Sequence, residues 1–385
     1  MFAVKQLFPT APGVNRYLLT LLITLLHSTS LFADVQITDS FSLYSDFRYR
    51  LESDWDSKQA NGVERDDRTR SRIRVRLGME WKTSPTTLVN VRLRTGANDS
   101  QQGTHITIKD HNGNDNGPKD VNADKWFLKY QRDGFWASLG RNSLPFWKQN
   151  EFYWDDDVTP AGLSGGYRFN PHWEVSAIAA KLPAGMDNFS GDVAAIQLTH
   201  GGDYGNLQYK VAAGMIDTNA YPNDSGARLL LNGNGARDYR LWVGSLQLKT
   251  MALGHPLALG LDLMHNSQDY SRNDPDPNTA ANHDQTDGFT LSAKLGSTKK
   301  PGDWLGGYYL ARIEALAINS SFSQDDWVRW GSATQTRASD IRGQEFRLVY
   351  VPCKNTNLVG RLYLVDSIQT IEDGKRFRFD VNYRF

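Results

Sequence analysis

The chain has 385 residues, with 43 basic and 43 acidic side chains, 39% hydrophobic residues and a single cysteine. The balanced charge argues against a nucleic-acid-binding protein, which would carry a basic excess. One cysteine, Cys353, excludes an intrachain disulfide and a zinc cluster built on cysteine ligands.

The first residues are typical of a secretory signal peptide. Lys5 and Arg16 are the only basic residues in this segment, and an apolar run follows Arg16 directly. A basic start, an apolar core and a small residue at the cleavage point define such a peptide, so we expect cleavage after Ala33. The alternative, an uncleaved anchor, would need about 20 apolar residues. We therefore predict a signal peptide over residues 1–33 and one exported domain over residues 34–385.

From residue 40 onward the sequence alternates between apolar and polar residues, as β-strands do. Val89, Val91 and Leu93 alternate with Asn90 and Arg92, for example. Charged residues interrupt every apolar run after the signal peptide, so no transmembrane helix is expected.

The connections between these segments alternate between short turns and long polar loops. The long ones lie near residues 53–67, 97–124, 143–160, 183–192, 217–236, 266–287, 316–340 and 367–375. About sixteen strands joined in this rhythm predict an all-β fold, a transmembrane antiparallel β-barrel with short periplasmic turns and long external loops. A secreted β-sandwich or solenoid is the alternative, but neither requires the strict succession of short and long connections.

One strand is unusual because arginine occupies every second position from 68 to 76. The intervening residues include Ile73, Val75 and Leu77, so a strand would place arginines on one face and apolar residues on the other. A charge on the lipid face costs about 2–4 kcal/mol near the middle of the membrane, so the arginines should face the lumen.

Hairpin geometry extends this row of arginines to the neighbouring strands. Centring the first hairpin near Ala60 and the second near Pro85 predicts the pairs Arg72–Arg48, Arg70–Arg50, Arg74–Asp46 and Arg76–Arg94. The candidate pore-lining basic residues are Arg48, Arg50, Arg70, Arg72, Arg74, Arg76, Arg92 and Arg94. Alternatively, these arginines serve only to pair with inward acids, for which the candidates are Asp46, Glu52, Glu80, Glu174, Asp262, Glu314 and Glu345.

The third external connection, over residues 142–160, is unusually aromatic for a loop. Its aromatic residues are Phe146, Trp147, Phe152, Tyr153 and Trp154. We expect the loop to fold into the barrel and bury them on its wall. Asp155, Asp156 and Asp157 would then face the arginines across a constriction, where charge and diameter set selectivity. A solvated loop tip is the alternative for these three residues.

Several of these segments together resemble the putative porin family of Gram-negative bacteria. They are Arg65–Gly78, Leu93–Gly96, Trp126–Tyr130, Gly140–Arg141 with Pro145–Trp147, and Trp154–Leu163. The resemblance implies a sixteen-stranded barrel in the outer membrane, surrounded by lipid and lipopolysaccharide, that admits small solutes by diffusion. Phe385 resembles the C-terminal signal that the barrel assembly machinery reads. A homotrimer is left open, and the family names no solute.

The functional hypothesis is a porin for passive diffusion of small hydrophilic solutes, with anions favoured by the arginines. Small inward residues, Gly78, Gly96, Gly214 and Gly260, favour an open lumen. The alternatives are a non-conducting barrel that acts as a surface anchor or adhesin, and an exporter of an acidic polysaccharide.

No enzyme activity, cofactor or metal site is expected. Ser176, His200 and His265 form no catalytic motif. The loop from Asp110 to Gly117 lacks the glycine and glutamate of a calcium loop, although a weakly bound cation stays as the alternative.

Overall fold

The structure is a computed structural model that describes residues 34–59, 61–113, 119–186, 188–221, 237–270, 277–328 and 338–385. The predicted signal peptide lies outside these residues. The strands are β1 (Asp34–Thr38), β2 (Phe41–Lys58), β3 (Arg68–Ser84), β4 (Thr87–Thr95), β5 (Ile106–Asp110), β6 (Val121–Arg132), β7 (Phe135–Arg141), β8 (Ala161–Arg168), β9 (Trp173–Pro183), β10 (Phe189–Tyr204), β11 (Leu207–Asn219), β12 (Tyr239–Ala252), β13 (His255–Asn266), β14 (Asp287–Gly296), β15 (Trp304–Ile313), β16 (Ile341–Cys353), β17 (Thr356–Ser367) and β18 (Asp373–Arg384). A short helix, α1, spans Pro277–Asn282. Within the described ranges, no helix has the length and apolar character needed to cross a membrane.

The strands form one antiparallel sheet that closes on itself, because β18 pairs with β2 and β9 pairs with β10. Two short strands share a position in the ring with another strand. β1 and β18 pair with successive parts of β2, and β5 and β4 pair with successive parts of β3. Eighteen strands less these two shared positions leave sixteen, so the predicted barrel is confirmed.

The prediction of one long external loop over residues 97–124 is wrong in part. Residues 96–105 leave the wall between β4 and β5, and β5 then rejoins it beside β3. The excursion enters the lumen, where Gln102 Nε2 donates to the backbone carbonyl of Ser320 at 3.2 Å. Gly96 permits the turn because its φ of +125° is unfavourable for other residues and a Cβ would collide with the Gly103 carbonyl. A polar excursion of this kind has no periodicity that distinguishes it from an external loop.

The two faces of the sheet follow the predicted alternation. Leu77 and Met79 point outward and are 46% and 43% exposed, whereas Arg74 and Arg94 point inward and are 6% and 1% exposed. The arginines therefore lie on the luminal side, away from the lipid-facing surface.

The predicted register of the first hairpin is wrong by two residues. Arg74 lies opposite Arg48 and Arg72 lies opposite Arg50. The strands meet in a turn in which Gly62 N donates to Gln59 O at 2.9 Å, so the hairpin centre lies one residue later than predicted. Moving the centre by one residue shifts every pair by two, which keeps the same faces inward. The predicted Arg76–Arg94 pair of the next hairpin is confirmed.

The hydrophobic core lies inside the barrel, against the wall formed by strands β9 to β16. Its strand residues include Ile178, Val193, Ile216, Leu241, Val243, Met264, Ile313 and Ile341. The third loop packs on them, and so does the connection after β15. Trp154 stacks on Phe322 at 5.5 Å between ring centroids, and Phe152 meets Trp327 edge-on at 4.8 Å. The predicted external loop over residues 316–340 is therefore wrong for residues 316–328, which line or fill the lumen.

Candidate pore constriction

The third loop connects β7 to β8 and crosses the lumen to the opposite wall. Trp147 N donates to Gln197 Oε1 of β10 at 2.7 Å, and Gln149 Nε2 donates to Asp262 Oδ1 of β13 at 3.1 Å. The predicted inward fold of the loop is confirmed. Four of its five aromatic side chains are buried: Phe146, Phe152, Tyr153 and Trp154.

Trp147, also predicted to be buried, is only half-buried. The ammonium of Lys210 lies 4.7 Å from the centroid of its ring, which is a favourable cation–π distance.

The inward glycines do not leave open space, contrary to the prediction. The ring of Tyr44 occupies the space over Gly78, and a Cβ on Gly260 would lie 2.5 Å from Gln149 Oε1. A Cβ on Gly214 would lie 3.0 Å from the ring of Phe146. Two of these glycines therefore make room for the third loop.

A cavity of about 610 Å³ lies between the arginine wall and the third loop. Five of the eight predicted arginines line it: Arg48, Arg50, Arg72, Arg74 and Arg76. Asp155, Asp156 and Asp157 of the loop line it as well. The fold thus brings the two predicted groups to one place.

The other three predicted arginines lie outside this cavity and bind structural partners. Arg70 pairs with Glu52, and Arg92 Nε donates to Asp124 at 3.0 Å. Arg94 is 1% exposed and donates to the backbone carbonyl of Gln101 at 2.7 Å, which holds the luminal excursion against β4.

The three acidic residues of the loop have different environments. Asp157 lies 3.0 Å from Arg76 Nη1 and 3.8 Å from Arg74 Nη1. Burial acts to raise the pKa of Asp157, but the positive charges of Arg76 and Arg74 outweigh this effect and hold the pKa below its usual value. This residue alone of the three forms an ion pair with the arginine wall among the described residues.

Asp156 pairs instead with Lys148 of the same loop, at 2.7 Å. Asp155 is buried, and its carboxylate accepts from the backbone N–H of Asp157 at 2.7 Å. Burial raises the pKa of Asp155 well above its usual range, and the neighbouring Glu151 carboxylate adds to the effect. The expectation that all three residues are counter-charges to the arginines therefore holds geometrically for Asp157 and fails for the other two.

Acids on the strands also neutralise the wall. Asp46 accepts from Arg74 at 2.9 Å and from Arg76 at 2.5 Å. Asp380 lies 2.7 Å from Arg50 and 3.2 Å from Arg361. Such shared carboxylates allow like charges to lie side by side, which would otherwise destabilise the sheet.

Some residues of the cavity were not predicted from the sequence. Arg347, Arg361 and Arg378 extend the wall onto strands β16 to β18. The alternation of arginine with apolar residues in β18 was a usable signal for Arg378. Asp326 lies 3.6 Å from Arg50. No sequence signal pointed to Asp326, because the sequence around it resembles an external loop.

The closed sixteen-strand barrel with an inward loop and a charged lumen is a fold similar to that of outer-membrane porins. Residues 57–190 match the family described as "Putative porin", which confirms the resemblance found in the sequence. No curated protein matches the chain in sequence.

Solved structures of porins share the fold. The high-pH structure of Pseudomonas putida OprB has a TM-score of 0.57 and 12% identity, covering 90% of this chain and 94% of that chain. Acinetobacter baumannii OccAB4 has a TM-score of 0.53 and 11% identity, covering 91% of this chain and 99% of that chain. A BenF-like porin from Pseudomonas fluorescens Pf-5 has a TM-score of 0.52 and 12% identity, covering 91% of this chain and 100% of that chain. The family match over residues 57–190 and the barrel fold indicate an outer-membrane location and favour a channel over an enzyme.

Proposed function

We propose that the protein is a porin through which small hydrophilic solutes diffuse passively, with anions preferred over cations. The observation that carries the proposal is the cavity between the arginine wall and the third loop. A charged, wet waist inside a barrel selects solutes by size and by charge, without a covalent step.

The preference for anions follows from the balance of charges around the cavity. Nine arginines line it: Arg48, Arg50, Arg72, Arg74, Arg76, Arg347, Arg361, Arg378 and Arg384. Seven acidic side chains line the cavity against these nine arginines and two lysines, Lys148 and Lys294, so positive charge exceeds negative charge there. A basic surface in a narrow space raises the local concentration of anions.

A reversal-potential measurement tests the proposal. The refolded protein is inserted into a planar bilayer between two concentrations of KCl, and Arg72→Ala/Arg74→Ala is compared with the wild type. We expect the double variant to lose preference for chloride. Arg132→Ala, which removes a 67% exposed charge in a periplasmic turn, is the control and should change little. An unchanged reversal potential in the double variant would assign the wall a structural role.

The rival is a non-conducting barrel that serves as a surface anchor. The filled spaces over Gly78, Gly214 and Gly260 favour this rival, because they narrow the lumen. Absence of ion-conducting steps in the same bilayer would support it. Three expectations from the sequence stay predictions: that residues 1–33 direct export, that the assembly machinery recognises Phe385, and that the protein forms a homotrimer.

A further inference from the structure

Four of the luminal arginines form a compact group. Arg48 lies opposite Arg74, and Arg50 lies opposite Arg72 on the adjoining rung of the same ladder. Residues directly opposite each other have Cβ atoms about 4.5–5.5 Å apart, and like charges there are unfavourable. The group therefore needs negative charge close by.

Protein carboxylates supply that charge only in part. Asp380 lies 2.7 Å from Arg50 but 3.9 Å from Arg48. The ion pair of Arg72 with Glu52 has a distance of 3.7 Å, longer than a hydrogen bond. Arg48 Nε donates to the neutral Asn382 amide oxygen at 2.6 Å, and Arg72 donates to the His105 carbonyl at 3.4 Å, so both are paired less closely with carboxylates than the arginines around them.

Three donor positions around this group are buried without a hydrogen-bond partner in the described part of the chain. They are Nε of Arg72, Nε of Arg74 and Nε2 of His105. His105 belongs to the luminal excursion and lines the same cavity. The Thr104 hydroxyl lies 3.3 Å from His105 Nδ1, and if Nδ1 accepts from it, Nε2 carries the proton and can donate. Buried donors without acceptors are unfavourable, so the cavity is suited to a ligand that brings acceptors.

On the basis of the pore proposed above, we infer that Arg48, Arg72, Arg74 and His105 bind an oxyanion group of the permeating solute, either a carboxylate or a phosphate. Such a group carries several acceptor oxygens, so it accepts from separate donors at once and neutralises neighbouring guanidinium groups. The site would hold a solute briefly at the constriction and would distinguish it from chloride.

The test uses single-channel currents of the full chain in KCl at constant pH and ionic strength. Inorganic phosphate is added in one arm and acetate in the other. We expect a saturable reduction of the chloride current in at least one arm, and the arm that responds identifies the group. His105→Phe keeps a ring but removes the donor, so it should weaken the apparent affinity about fivefold, the effect of one lost hydrogen bond. His105→Gln restores an N–H donor and should recover most of the affinity.

Lys249→Gln is the matched control. Lys249 lines a separate cavity of about 740 Å³, so this variant removes one positive charge without touching the site. Ion-conducting steps of His105→Phe in KCl without added anion show that this variant has folded into a pore. The inference is overturned if neither anion reduces the wild-type current, or if His105→Phe and Lys249→Gln weaken the effect equally. A protein that conducts no current at all overturns the pore itself, which is a different result.

Discussion

Asp157 of the third loop lies 3.0 Å from Arg76 of the barrel wall. The same carboxylate lies 3.8 Å from Arg74. All three side chains line one cavity, so loop and wall together set the charge at the constriction. The pair also ties the C-terminal part of the loop to β3, while Gln149 ties its N-terminal half to β13 on the far side.

Asp157→Asn should strengthen the preference for anions. The substitution keeps the shape of the side chain but removes the negative charge beside Arg76 and Arg74, so more positive charge faces the solute. Reversal potentials in a KCl gradient measure the shift. Asp133→Asn removes a carboxylate that is 85% exposed in the short turn between β6 and β7 and should have little effect. Equal shifts in both variants would show that the pair does not control selectivity.

Gly260→Val should displace the third loop. The added side chain would occupy the place of Gln149, whose Oε1 lies 2.5 Å from the position of a Cβ, and would break its hydrogen bonds to β13. We expect a changed and noisier single-channel conductance. Gly244→Val is the matched control, because nothing lies within 4 Å of a Cβ at that position. A conductance of Gly260→Val equal to that of the control would mean that this contact does not hold the loop.

Trp154→Ala should destabilise the protein substantially. Trp154 is 1% exposed and stacks on Phe322, so truncation leaves a large cavity in the core inside the barrel. Loss of a buried tryptophan costs about 3–5 kcal/mol. Guanidinium unfolding of the protein in detergent measures the free energy of unfolding. Trp242→Ala, at a position that is 52% exposed on the outer face, should cost clearly less; a similar loss in both would argue against an internal core.

The anion preference should increase as the pH falls from about 8.5 to 5.5. Burial and the Asp156 carboxylate together raise the pKa of Glu151 to about 7. Asp155 beside it also has a raised pKa, whereas the arginines keep Asp157 ionised. Burial and the surrounding arginines lower the pKa of His105 well below its usual value, so it stays neutral in this range. Protonation therefore removes negative charge from the loop as the pH falls.

Reversal potentials at the two pH values measure this effect. Glu151→Gln/Asp155→Asn should abolish the dependence, and its persistence would assign the titration to other groups. The raised pKa of Glu151 also makes stability depend on pH. Between about pH 4.3 and 7 the folded state binds the Glu151 proton more tightly than the unfolded state, so the free energy of unfolding falls as the pH rises.

The sequence by itself determined the barrel and the direction of its side chains. Alternation with a period of two separates charged from apolar residues, and lipid accepts only one of these faces, so Arg74 had to point inward and Leu77 outward. The aromatic content of the third loop also determined its inward fold, because Phe152 and Trp154 are too apolar to remain in water.

Only the tertiary structure decided which charges meet. A shift of one residue in the turn at Gly62 replaced the expected Arg72–Arg48 pair with Arg74–Arg48, and alternation is unaffected by such a shift. Asp326 and His105 reach the cavity from segments whose polar sequences resemble external loops. The space over Gly260 is filled by Gln149, a residue far away in sequence. Local patterns specify the face of each strand, whereas register and loop packing depend on contacts between distant residues.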